Sequence, residues 1–274
     1  MKFLIIIVLT LIIILGAAIR FYELGKAPSG LYIDEAGQGY SAYSILKTGK
    51  DEFGKDYPIV FRSFNDFKTP VYIYSIVPLI PIFGLSPFTV RLPSFIFSVL
   101  TFPLIFLLLW KLTPYYRVGL SLLVTLLLAI SPWHTLFGRT NFECNLALFF
   151  YLCGIYLFYL GLKRPFFIVI SIIFFAISLP AYHSERILTP LTVAVLSWRH
   201  RKIVFSKSYK YYLLFSVIAG FIISLPTLSV ATSSGFLARA AGLNIFSHER
   251  QNPAGFLENY HGLFEFLINN SWFF

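Results

Sequence analysis

The stretch PVYIYSIVPLIPIFGLSPF, Pro70–Phe88, decides the topology of this chain. It is apolar enough to form a membrane-spanning helix, but it is broken by Pro78, Pro81, Gly84 and Pro87. Proline removes a backbone donor and clashes with the preceding helical turn, so a straight helix through this stretch is disfavoured. If the stretch crosses a membrane, every later loop changes sides.

The composition indicates that a membrane surrounds this stretch. The chain has 274 residues, of which 57% are hydrophobic and 12% are charged, with a mean hydropathy of +0.75. Soluble domains contain about 45–50% apolar and about 25% charged residues. The first apolar run, residues 3–18, has no small-residue cleavage site after it, so we interpret it as a retained helix and not as a secretory signal.

Seven apolar runs are near the length of about 20 residues that a spanning helix requires. They are residues 3–19, 92–110, 118–134, 145–162, 166–181, 187–198 and 211–229, and 187–198 is the shortest. The sequence therefore predicts an all-α polytopic membrane protein with about seven transmembrane helices.

The charges between these runs show which loops share a side. One set of segments contains only cations, ten in all: Lys2, Lys111, Arg117, Lys163, Arg164, Arg199, Arg201, Lys202, Lys207 and Lys210. The positive-inside rule places them in the cytoplasm. The other segments mix signs, and residues 20–91 alone carry eight cations and seven acids. The net charge of +10 is thus a signature of topology and not of nucleic-acid binding.

This charge pattern also settles our prediction for the proline-broken stretch. If residues 70–88 crossed the membrane, the ten cations would no longer share one face, so we predict that the stretch lies at the outer interface or re-enters. We expect a transmembrane module over residues 1–229 with a long first outer loop at about 20–91. Residues 230–274 are expected to begin a second outer loop that is truncated here.

Many polar side chains fall at the predicted outer ends of the helices. They are Asp34, Glu35, Asp66, Lys68, Arg91, His134, Arg139, Glu143, His183, Glu185 and Arg186. Ionisable groups near a bilayer are costly, and a cluster of them on one side predicts a functional site. A carboxylate can act as a general base toward a hydroxyl, and cations can hold a phosphate group as it leaves.

Five ordered motifs resemble a known family. They are GLYIDEAGQGYSAYSILKTG (30–49), NDFKTPVYIY (65–74), FGLSPFTVRLPS (83–94), SPWHTLFGRTNFE (131–143) and AYHSERILTPL (181–191). In this order they resemble the bacterial relatives of protein O-mannosyltransferases and the lipid A aminoarabinose transferases, which have the glycosyltransferase-C superfold. The resemblance implies seven membrane helices and a first outer loop with two juxtamembrane helices, the second at residues 70–88. It also implies transfer of a sugar from a polyprenyl-phosphate carrier to an acceptor, with inversion.

The resemblance assigns roles by position. Asp34 matches the base that activates the acceptor, with Glu35 beside it, and Lys68 matches a lysine near the lipid phosphate. The resemblance also makes Arg91, Arg139 and Arg186 donor-phosphate candidates and Glu143 and His183 further site candidates. The implied enzyme is a hexosyl- or pentosyltransferase of the cell membrane, with its active site on the extracytoplasmic side. Its partners would be a polyprenyl-phosphate sugar donor, a lipid, glycan or protein acceptor and membrane lipid, without nucleic acid.

The same residues have simpler interpretations. Asp34 and Glu35 can serve as N-terminal charge on a helix over residues 35–46. Lys68 and Arg91 can be interfacial anchors, and Arg139 and Glu143 can form an intrahelical pair at i, i+4. Cofactors are not required, although a divalent metal beside Asp34 and Glu35 is chemically compatible.

Two other classes of function stay open. Relatives in the family are about twice as long as this chain, so an inactive or partner-dependent membrane scaffold is the stronger alternative. A transporter is the weaker alternative, since transporters place charges near the midplane within repeats, and this chain shows neither feature.

Overall fold

The computed structural model describes residues 2–63 and 66–229, and this part of the chain is built almost entirely from helices. The long helices are α1 (Lys2–Phe21), α2 (Ile33–Thr48), α5 (Pro87–Leu112), α6 (Arg117–Ile130), α8 (Glu143–Gly161), α9 (Phe166–Ser178), α10 (Glu185–Arg199) and α12 (Lys210–Ser229). The short ones are α3 (Pro70–Ile76), α4 (Ile80–Phe83), α7 (Pro132–Arg139) and α11 (Arg201–Val204). The predicted fold class, an all-α polytopic membrane protein, is confirmed.

The long helix α5 is the central element of the bundle. It begins where Ser86 caps it by accepting a hydrogen bond from the Thr89 amide, and Pro87 occupies its first turn, where no backbone donor is needed. It packs against α1, α6, α7 and α8. Because α5 has 26 residues, at ~1.5 Å per residue it extends for roughly 39 Å, enough to join the two faces of a bilayer.

Four helices of the described chain are long and apolar enough to span a membrane: Phe3–Phe21, Pro87–Leu112, Glu143–Gly161 and Lys207–Ser229. A fifth span is formed if α6 and α7, which meet at a bend of 57°, are counted together. Each of the seven predicted runs contains a helix, but α9 and α10 have only 13 and 15 residues. The count of seven spans stays a prediction.

The proline-broken stretch is a chain of short helical pieces. Helix α3 passes through a 3₁₀ turn, Val77–Leu79, into α4, which ends at Gly84 with a φ of 72°. At ~1.5 Å per residue these pieces together reach roughly 20 Å, less than the ~30 Å hydrocarbon core. Tyr72, Ile73 and Ile76 are buried in a hydrophobic cluster that also contains residues of α2, α5 and α8. The stretch therefore packs against both α2 and α5.

The first loop thus contains the expected helices, α2 and the pair α3–α4. It also contains a small antiparallel hairpin that the sequence did not predict, β1 (Phe61–Ser63) paired with β2 (Asp66–Lys68), with Phe61 opposite Lys68. The hairpin ends at Lys68, shortly before α3 begins. The predicted second outer loop, 230–274, lies outside the described residues.

Candidate functional site

Helix α2 places the two adjacent carboxylates of the first motif in different surroundings. Asp34 and Glu35 lie in its first turn, and residues next to each other on a helix point in directions about 100° apart. Glu35 turns inward and is 3% exposed, whereas the side chain of Asp34 is 29% exposed. The pair is therefore one buried acid and one accessible acid.

The buried acid is fully engaged by hydrogen-bond donors. Arg91 donates from Nε and Nη2 to the two oxygens of Glu35, both at 2.9 Å. The backbone amides of Asn141 and Tyr32 donate to the same two oxygens, both at 3.0 Å. Burial by itself raises the pKa of Glu35, but these donors outweigh burial and hold that pKa below its ordinary value. Glu35 is thus held as a carboxylate.

Arg91, in the first turns of α5, uses all of its donors within the protein. Besides its bonds to Glu35, it donates to the carbonyl oxygens of Leu24 at 3.2 Å, Pro28 at 3.0 Å and Gly30 at 2.6 Å. A guanidinium has five N–H donors, so none is left for another anion, and the side chain is 1% exposed. Arg91 ties the segment between α1 and α2 to α5.

The accessible acid faces Lys68. The Nζ atom of Lys68 lies 3.0 Å from Oδ2 of Asp34, and the lysine side chain is 4% exposed. The next residue, Thr69, donates from its hydroxyl to the carbonyl of Ala181 at 2.9 Å. The hairpin end thus contacts the turn between α9 and α10, where His183 lies.

Of the predicted residues, Glu143 is joined to the same group. It begins α8, is 9% exposed and accepts a hydrogen bond at 2.9 Å from the amide of Gln38. Gln38 lies one helical turn after Asp34 and Glu35. The structure therefore brings Asp34, Glu35, Lys68, Arg91 and Glu143 together around the start of α2.

Arg139 lies beside the group and not within it. It ends α7, while Glu143 begins α8, so the two do not form an intrahelical pair. Arg139 donates to the carbonyl of Ile19 at 2.7 Å and to that of Ala27 at 3.1 Å. Its contacts hold the end of α1 and the segment that follows.

His183 and Arg186 lie at the α9–α10 turn. Both are half-buried, His183 before α10 and Arg186 in the first turn of that helix. The ring of His183 packs edge-on against that of Tyr182. The Thr69 bond joins this turn to the residue that follows Lys68.

Three buried polar residues were missed from the sequence, and two of them, Gln38 and Asn141, contact the group. Gln38 and Asn141 are 1% and 2% exposed, and in the described chain the side-chain amide of Asn141 has no hydrogen-bond partner. Arg20, counted from the sequence as a loop cation, is fully buried and donates to the carbonyls of Leu128 and Ala129 at the end of α6. A lone Asn or Gln in a motif gives no signal that could have identified it.

The hydrogen-bond and ion-pair partners of Asp34 and Glu35 do not favour a metal ion between these two side chains. Four N–H donors occupy the oxygens of Glu35, and Lys68 faces Asp34. Among the described residues no three His, Cys, Asp or Glu side chains are grouped in a way that could hold a metal. What the geometry offers instead is a carboxylate and an ammonium side by side at the edge of a buried polar cluster.

Comparison with known proteins shows that the fold resembles one that has been solved. The structure is similar to the crystal structure of ArnT from Cupriavidus metallidurans in the apo state, with a TM-score of 0.58 and 14% sequence identity. The likeness covers 85% of this chain and 42% of that protein, so the chain spans less than half the length of this relative. No family model and no curated protein matches the sequence. The described chain therefore shares its fold with part of ArnT.

Proposed function

We propose that this chain is the catalytic module of a membrane glycosyltransferase that moves a sugar from a polyprenyl-phosphate carrier to an acceptor hydroxyl, with inversion. The observation that carries the proposal is the Asp34–Lys68 pair at 3.0 Å, a base and a phosphate-binding cation within reach of one reacting group. Support comes from the likeness to ArnT, a lipid A aminoarabinose transferase with the same type of fold.

The reaction follows from these two side chains. The acceptor oxygen attacks the anomeric carbon, the bond from that carbon to the phosphate oxygen breaks, and the hydroxyl proton passes to Asp34. The carrier leaves as its phosphate, and its added negative charge is stabilised by Lys68. A single displacement at the anomeric carbon inverts its configuration. A well-placed base contributes roughly 10²–10⁴-fold, and loss of one preorganised electrostatic contact costs about 10²–10³-fold.

The Asp34–Lys68 ion pair also sets an order of events. While Lys68 pairs with Asp34, its ammonium group occupies the Oδ2 atom of the carboxylate at 3.0 Å. A donor phosphate that draws Lys68 toward itself frees this oxygen, and the acceptor hydroxyl then becomes the hydrogen-bond partner of Asp34. Donor binding therefore precedes activation of the acceptor.

Glu35 and Arg91 have a positioning role in this proposal. Their mutual bonds and the carbonyl partners of Arg91 fix the first turn of α2, and thereby the direction of the Asp34 side chain. The donor-phosphate role that the sequence suggested for Arg91 is better assigned to Lys68, because the donors of Arg91 are all engaged. Arg139 and Arg186, with Glu143 and His183, are further candidates for contacts to substrate.

The proposed setting is a cell membrane, with residues 1–229 as a multi-pass transferase module and the site on the extracytoplasmic side. The donor is a polyprenyl-phosphate sugar, a hexose or a pentose, and the acceptor is a hydroxyl of a lipid, a glycan or a protein. No metal is needed in the step as written.

A transfer assay tests the proposal. The protein is reconstituted in proteoliposomes with radiolabelled undecaprenyl-phosphate mannose or aminoarabinose, and transfer to extracted membrane lipids, glycans and proteins is measured. We expect transfer with at least one donor, and a loss in Asp34→Asn. The assignment would be overturned if protein that retains its melting transition transferred sugar from every donor no faster than protein-free liposomes.

A further inference from the structure

A cavity lies at the opposite end of the bundle from the Asp34–Lys68 pair. It has a volume of about 360 Å³ and is lined by Trp110, Lys111, Pro114, Arg117 and Lys163. This volume is within the roughly 300–1,000 Å³ of small-molecule sites. The lining comes from the end of α5, the α5–α6 connection and the α8–α9 connection.

Two helices fix the distance between the cavity and the site described above. Arg91 lies near the start of α5 and Lys111 near its end, 20 residues later, which at ~1.5 Å per residue is roughly 30 Å. Likewise Glu143 begins α8, and Lys163 follows the end of that helix at Gly161. The cavity is therefore separated from the Asp34–Lys68 pair by about the thickness of a hydrocarbon core.

The lining is rich in positive charge. Three of its five residues are cations, and none of the five is acidic. Lys111 is half-buried, while Arg117 and Lys163 are exposed. The cations that line one cavity repel one another. A bound anion offsets this repulsion because it attracts each of them.

The arginine of the cavity is held in place by its neighbours. Arg117 donates from Nε to the carbonyl of Pro114 at 3.2 Å, and its guanidinium carbon lies 5.8 Å from the centre of the Trp110 ring. These contacts restrict a long side chain that would otherwise be mobile, and they leave its Nη donors for an anion. The cavity thus has a preorganised cation beside two lysines.

We propose that this cavity binds the phosphate of an anionic phospholipid headgroup. A headgroup is favoured over a free anion because the cavity lies at the ends of two spanning helices, α5 and α8, and includes a tryptophan at the depth where such residues meet the membrane interface. Basic pockets at this depth attract anionic headgroups. The site goes beyond the proposed sugar transfer and is independent of it.

Lipid retention measured by native mass spectrometry tests the site. The full chain is titrated with phosphatidylglycerol or phosphatidylcholine of the same acyl chains. We expect one phosphatidylglycerol to bind more tightly than phosphatidylcholine, with Arg117→Gln and Lys163→Gln each weakening it by about fivefold. The matched control is Arg201→Gln, because Arg201 also lies over a tryptophan, Trp198, at 5.6 Å and donates to its carbonyl, but lies outside the cavity lining.

The outcomes separate the alternatives. Unchanged melting temperatures in phosphatidylcholine show that the variants fold, and retained affinity in Arg201→Gln supports the cavity. Equal loss in Arg201→Gln would mean that the whole basic face attracts lipid without a built site, which overturns the proposal. A shift of the melting temperature by inorganic phosphate that equals the shift by phosphatidylglycerol at the same concentration would replace the headgroup with a soluble anion.

Discussion

Arg91 and Glu35, separated by 56 residues in the sequence, form a two-point ion pair in which Nε and Nη2 of the arginine each lie 2.9 Å from a carboxylate oxygen. Both side chains are at most 3% exposed. This pair connects α2 to α5 and sets the direction in which the neighbouring Asp34 projects. Of the two adjacent acids, Glu35 thus stabilises the structure, and Asp34 is proposed to act in the reaction.

Replacement of Asp34 tests the proposed base. We expect Asp34→Asn to reduce sugar transfer by roughly 10²–10⁴-fold, because the amide cannot accept the hydroxyl proton. Asn keeps the size and one oxygen of the side chain, so the fold and donor binding should persist. Turnover in proteoliposomes is the measurement. The matched control is Asp56→Asn, since Asp56 also pairs with a lysine of the first loop, Lys50, at 3.6 Å; near-normal turnover in Asp34→Asn would remove the base assignment.

Replacement of Lys68 tests the phosphate contact. We expect Lys68→Ala to weaken donor binding, and Lys68→Arg to restore it only in part, since a planar fork replaces a compact ammonium. Donor affinity is measured with an unreactive polyprenyl phosphate in detergent micelles. Lys50→Ala is the control, because Lys50 is an exposed lysine in an ion pair of the same loop. An unchanged affinity in Lys68→Ala would leave Lys68 as the structural partner of Asp34.

Replacement of Glu35 separates structure from catalysis. Glu35→Gln leaves the buried Arg91 without its counter-charge, and loss of one partner of a buried pair costs about 3–5 kcal/mol. We therefore expect a lower melting temperature, together with a smaller loss of turnover than in Asp34→Asn among the molecules that stay folded. Thermal unfolding monitored by circular dichroism, with turnover normalised to folded protein, gives both quantities. A full loss of turnover at an unchanged melting temperature would assign Glu35 to the reaction.

The same ion pair makes stability depend on pH. The pKa of Glu35 is lower in the folded protein than its ordinary value of 4.5, so the stabilisation is complete above about pH 4.5 and is lost as the pH falls through the folded pKa. Unfolding midpoints measured between about pH 7 and pH 3 should fall at the acid end. The fall should be smaller in Glu35→Gln, which has no proton to gain; equal slopes in the two proteins would contradict the assignment.

Cysteine labelling tests the topology. Cys144 and Cys153 are first replaced, since both are free thiols. An impermeant thiol reagent should then label Lys55→Cys and Leu85→Cys from outside, because both positions are exposed parts of the first loop. It should reach Ser208→Cys, an exposed position in the basic segment 199–210, only after permeabilisation. Labelling of Leu85→Cys from the cytoplasmic side alone would place residues 70–88 across the membrane.

The sequence by itself determined the class of protein and the helices. Apolar runs of about 20 residues have few other stable states in a bilayer, so composition and run length suffice. It also identified the motif with Asp34 and Glu35, because carboxylates are scarce in such a chain. The prolines of residues 70–88 correspond to a 3₁₀ turn, Val77–Leu79, inside the short apolar helix Pro70–Phe83, since each proline removes a backbone donor locally.

Only the tertiary structure decided which charged groups meet. Glu35 pairs with Arg91, and Asp34 pairs with Lys68. The two members of each pair come from elements far apart in the chain, so their pairing depends on how α2, the hairpin and α5 pack. The sequence does not reveal burial of single side chains, so it did not distinguish Arg91, whose donors are all engaged, from Lys68, which faces an accessible acid. The hairpin that places Lys68 was likewise not predicted, because three-residue strands are too short to show a periodic pattern and are stabilised by their surroundings.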